Sequence, residues 1–79
     1  MNKQVKLETE NIMEDKEKIL NINTVVLLQR RNIHYIMDLI IYLKQNSINS
    51  FLCFDGWDLK ILRNLETFCF VNQIEYFYN

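Results

Sequence analysis

Residues 50–79 constrain the fold most, because they read as strand, helix, strand. Ser50-Phe51-Leu52-Cys53-Phe54 is an almost wholly apolar run that stops at Asp55-Gly56, the only glycine in the chain. Residues 57–72 then carry helical periodicity. Trp57, Ile61, Leu62, Leu65, Phe68, Cys69 and Val71 recur mostly at spacings of three and four, while Lys60, Arg63, Asn64 and Thr67 fall mainly on the other face. Asp55 or Asp58 is placed to cap the start of this helix, and Asn72 suits the left-handed position at its end. Ile74-Glu75-Tyr76-Phe77-Tyr78 is a second β-rich run. Two apolar strands joined by an amphipathic crossover helix make a parallel βαβ unit, which needs about 30 residues.

Upstream, residues 1–20 hold nine charged groups and a thin apolar stripe of Val5, Ile12, Ile19 and Leu20. A helix and a flexible tail both remain open for this leader. Asn23 or Thr24 offers an N-cap before Val25-Val26-Leu27-Leu28, a run that fits a short helix or a strand. Arg30-Arg31-Asn32 is a polar break. Residues 33–37 read as a short strand, and Asp38 as the N-cap of a helix to about Gln45. Ile48-Asn49-Ser50 leads into the next strand. The expected fold class is therefore α/β in the order α-β-α-β-α-β, with a small three-stranded sheet and flanking helices. Residues 21–79 form its single domain.

Composition limits what such a chain does. Seventy-nine residues allow one domain with a modest core, and 49% hydrophobic residues argue for packing over disorder. There is no alanine and no proline, against ten asparagines and ten isoleucines. Alanine is the best helix former, so folding physics does not explain its absence. A strongly AT-rich genome does, as in a reduced-genome parasite, a symbiont, some low-GC bacteria or their phages. Residues 21–79 balance five basic groups against five acidic ones, so no basic stripe drives non-specific nucleic-acid binding. The charged N-terminus lacks the apolar core of a signal peptide, and the apolar stretch at 36–43 is too short to span a bilayer.

No constellation for chemistry stands out. His34 is the sole histidine and lacks partners at ligand spacing. Asp55 and Asp58 flank a strand-to-helix turn, where capping accounts for them better than a catalytic carboxylate pair. Cys53 and Cys69 sit in apolar runs and read as buried, reduced thiols. Trp57 reads as packed on the sheet. Lys60 and Arg63 are placed to pair with Asp58 and Glu66 on the helix surface. The expectation is a non-enzyme with no cofactor, no metal and no small-molecule substrate.

The run Leu65-Glu66-Thr67-Phe68-Cys69-Phe70-Val71-Asn72-Gln73-Ile74, with Leu52-Cys53, Asn23-Thr24 and Ile33-His34, resembles the kink-turn-binding ribosomal protein superfamily. Within it, the likeness is to the eukaryotic small ribosomal subunit protein twelve family. A Glu-x-x-Cys element running into Gln-Ile carries it, as Glu66, Cys69, Gln73 and Ile74 do here. The resemblance implies a reduced, truncated α/β/α sandwich in the cytoplasmic ribosome that braces ribosomal RNA and neighbouring proteins. The family's kink-turn-gripping Gly and Asn-Glu…Lys set is absent at residues 37–41, so kink-turn recognition is not implied.

Arg30 and Arg31, whose paired guanidinium forks suit phosphate, are the first candidates for RNA contact, with His34 and Lys44. Tyr76, Phe77 and Tyr78 are the candidates for partner contact, because a strand ending the chain there leaves an apolar edge to be covered. The rival expectation is a small phage or bacterial inhibitor that docks on a host protein through this Tyr-rich strand.

Overall fold

The fold is a helical one. The computed structural model describes residues 19–79, and among them lie three α-helices and one 3-10 helix but no β-strand. In order these are α1 (Ile22–Arg30), α2 (Ile36–Gln45), the 3-10 helix η1 (Ile48–Cys53) and α3 (Leu59–Val71). The first eighteen positions of the charged leader lie outside the described residues.

The expected three-stranded sheet is not formed, and each of its strands has a different fate. Ile33 is buried, but it belongs to the turn that ends α1, and Ile36 already opens α2. Residues 50–54 lie largely within η1. Ser50 explains this, since its amide and its hydroxyl both donate to Ser47 O, at 3.1 and 2.6 Å. Such side-chain bonds to nearby backbone compete with an extended ladder. Residues 74–78 are extended but unpaired as a strand. Ile48 N donates to Phe77 O at 2.7 Å, and no ladder extends from that bond. Without a sheet, neither the βαβ unit nor the truncated sandwich is present.

Helices α1 and α3 end in the same way. At the end of α1, Asn32 N donates to Gln29 O and Ile33 N to Leu28 O, with Asn32 left-handed at φ 61°. At the end of α3, Gln73 N donates to Phe70 O and Ile74 N to Cys69 O, with Gln73 at φ 57°. Both are Schellman caps, in which an apolar residue after the left-handed one folds back on the helix. Ile33 and Leu28 are both buried, as are Ile74 and Cys69. The left-handed residue after α3 is thus Gln73, not Asn72, whose side chain instead donates to Phe68 O.

Helix starts divide similarly. Asp58 caps α3 as expected, accepting from Ile61 N at 2.9 Å. Asp38 is not the N-cap of α2. It lies in the first turn and reaches back to accept from His34 N and Tyr35 N, both at 3.1 Å. Neither Asn23 nor Thr24 caps α1, which begins after Asn21.

The core lies where α3 packs against η1 and α1. At its centre the Phe51 ring stacks on Tyr42 at 4.5 Å and on Trp57 at 4.4 Å. Two rings that close cannot share a face, so Phe51 is sandwiched between them. Trp57 packs inward, with Phe51 rather than a sheet as its support.

Candidate functional site

A groove of about 840 Å³ lies beside this core, between the end of α2, the end of α3 and the segment 74–77. Leu43 and Lys44 form one wall, Cys69 and Phe70 another, and Ile74 to Phe77 the third. Its lip holds the most exposed large apolar side chain of the described residues, Phe70, which is 82% accessible. Phe77 beside it is 58% accessible.

Of the expected partner residues, Tyr76 and Phe77 line this groove and Tyr78 does not, and the backbone explains how they are arranged. An extended chain alternates its side chains. Tyr76 therefore turns inward and is half-buried against the core, while Phe77 turns outward. Tyr78 returns to the Tyr76 side, and the two rings meet edge to face at 5.8 Å. Arg63 ties this segment to α3: its Nη1 donates to the Tyr78 hydroxyl at 3.3 Å and to Glu66 Oε1 at 3.1 Å. Glu66 in turn holds the Arg63 guanidinium above its ordinary range. Burial, helped by Glu66, raises the Tyr76 hydroxyl. The same two causes push the Cys69 thiol at the floor of the groove up to about 12.

The four residues expected to contact RNA are not brought together. Arg30 and Arg31 stand on the exposed end of α1 and line a second cavity of about 500 Å³ with Leu27, Phe54, Asp55 and Trp57. Arg31 lies 4.3 Å over the Phe54 ring, a cation–π arrangement, and its Nε donates to Arg30 O. His34 is exposed on the following turn and lines neither cavity. Lys44 belongs to the wall of the C-terminal groove.

Three residues gain a role that the sequence reading did not assign. Phe70 is an aromatic residue off the apolar stripe of its helix, and that misplacement is the legible signal. Asn64 is half-buried at the α1–α3 interface, where spacing placed it on the open face. Cys53 is exposed and lines the arginine cavity, whereas Cys69 is buried as expected and both thiols are free. Among the described residues no helix is long and apolar enough to cross a membrane, and no group of three His, Cys, Asp or Glu side chains converges on a metal position.

No family model, curated protein or solved structure matches this chain.

Proposed function

We propose that this protein is a binding module that acts by docking on another protein through the groove between α2, α3 and residues 74–77. One observation carries the reading: Phe70 and Phe77 stand exposed on the lip of an apolar groove. Aromatic side chains are enriched at interface centres, and a contiguous apolar patch rimmed by polar groups marks an interaction surface. Lys44 and Glu75 supply such a rim. The partner is a protein segment that presents apolar side chains to Phe70, Phe77 and Ile74, in the manner of an amphipathic helix in a groove. The activity is binding in the cytoplasm, with no catalytic step.

Affinity capture with the whole chain tests this. Phe70→Glu combined with Phe77→Glu places two charges on the lip and leaves the core rings untouched. Proteins retained by the native chain should be lost from this variant. If the same set is retained at the same level, the groove is not the docking face.

A ribosomal structural role is the second reading, favoured by the exposure of Arg30, Arg31 and His34 around one turn. Its sheet-based support has gone, and it rests on sequence resemblance. Salt-dependent co-sedimentation with ribosomes tests it. A chain that stays in the supernatant at low salt removes it.

A further inference from the structure

At the end of α1 two cavities adjoin. The one of about 500 Å³ containing Arg31 and Trp57 shares Leu27 and Arg30 with one of about 250 Å³ containing Val26, Gly56 and Ile61. Together they form a cleft with a cation in the middle and apolar walls on one side. We propose that this cleft is a second docking site, one that takes an extended acidic segment of another protein. A carboxylate of that segment sits on the Arg30 guanidinium, and a neighbouring apolar side chain sits against Val26 and Ile61.

Charge carries the argument. Arg30 makes no ion pair, although Asp55 lines the same cavity, and the ion pair of the described residues is Arg63 with Glu66. The negative end of the α1 dipole makes a cation welcome here but supplies no bidentate acceptor for its fork. Arg31 is already held over Phe54, so a second positive charge is oriented before any ligand arrives. Gly56 shapes the floor: a Cβ there would lie 2.8 Å from Leu27 Cδ2.

The rings decide between an acidic peptide and a nucleic acid. Recognition of single strands relies on bases stacking on open aromatic faces. In this cleft Arg31 covers Phe54, and Trp57 is 8% accessible with one face stacked on Phe51. One face of Phe54 and one face of the nearly buried Trp57 are thus occupied, which leaves little ring surface for stacking. Carboxylates alternating with apolar side chains match what is offered.

The test uses the whole chain and three probes: a capped heptapeptide alternating Glu and Leu, its Lys–Leu counterpart, and a uridine dodecamer. Trp57 fluorescence and the alkylation rate of exposed Cys53 both report on the cleft, with buried Cys69 as internal reference. The Glu–Leu peptide should shift the fluorescence and slow alkylation of Cys53. Arg30→Ala should weaken its binding about tenfold, the loss of one charge-assisted fork. Arg30→Glu should abolish that binding and create a response to the Lys–Leu peptide. The proposal is overturned if the two peptides act alike, if neither acts, or if the uridine oligomer binds more tightly, which would assign the cleft to nucleic acid. Because Phe70 and Phe77 take no part, the result stands apart from that of the capture experiment.

Discussion

The Thr24 hydroxyl donates to Asn64 Oδ1 at 2.8 Å, inside the interface between α1 and α3. Thr24 is fully buried, so its hydroxyl depends on a partner within the protein. The same Asn64 oxygen accepts from Asn21 N at 2.9 Å, and its Nδ2 donates to Ile19 O at 2.7 Å. One side chain thus pins the start of α1 and the preceding segment to the middle of α3. Asn64→Ala leaves a buried hydroxyl and a carbonyl without partners, so a loss of about 2–3 kcal/mol is expected. Urea unfolding followed at Trp57 measures it. Thr24→Val should cost less, and the double variant less than the sum, because both act on one bond network. Additive losses would show that the pair is not coupled.

Phe51 is the second structural pivot. It is fully buried between Tyr42 and Trp57, and Phe54 meets its edge at 6.4 Å. Tyr42 is held in turn by Ser50: the Ser50 proton goes to Ser47 O, so Tyr42 donates to Ser50 Oγ at 2.6 Å. Phe51→Ala is expected to remove about 3–5 kcal/mol, of the same order as the whole stability of so small a domain. Near-ultraviolet circular dichroism should collapse. Phe51→Leu should keep the fold with a smaller loss. An unchanged spectrum for Phe51→Ala would mean that the ring sandwich does not support the core.

What could be read from the sequence divides along physical lines. Helix α3 was legible because its apolar spacing and Asp58 cap are local facts. The strands were misread because a short apolar run does not distinguish strand from buried helical turn. Residues 50–54 alternate no better as a strand than as η1, where Ile48 and Phe51 share the buried side. Residues 74–78 do alternate, yet a strand also requires a neighbour, and no local pattern shows whether one exists. Tyr76, Phe77 and Tyr78 could be singled out because aromatic density is visible in sequence. The separation of Lys44 from Arg30 and Arg31 could not, since it depends on how the helices pack. Asn64 escaped for a similar reason: its polarity reads as exposure until Thr24 is placed opposite.

Two backbone positions should respond to substitution with opposite sign. Gly56 sits at φ +89°, where an L side chain is strained, and any Cβ presses on Leu27. Gly56→Ala should cost about 1–2 kcal/mol. Gln73 holds a left-handed cap with a side chain that the geometry disfavours. Gln73→Gly should therefore stabilise by up to about 1 kcal/mol. Thermal midpoints of the two variants check both signs. A stabilising Gly56→Ala would show that the turn can relax, and a destabilising Gln73→Gly would show that the glutamine side chain contributes more than its backbone strain removes.

The Cys69 thiol ties stability to alkaline pH. Burial and the nearby Glu66 push it up to about 12, whereas an unfolded thiol titrates near 9. The folded state therefore keeps a proton that the unfolded state releases. Stability is complete below about pH 9 and falls as pH rises from there towards 12, with a loss of about 1 kcal/mol expected by pH 10. Tyr76, also raised, adds to the fall at still higher pH. Urea midpoints at pH 8, 9 and 10 should decline for the native chain. Cys69→Ala should start lower, because it opens a cavity, and decline less steeply over this interval. Within that range iodoacetamide should modify exposed Cys53 and spare Cys69 until urea is added. An equal slope for Cys69→Ala would place the source of the alkaline sensitivity in another group.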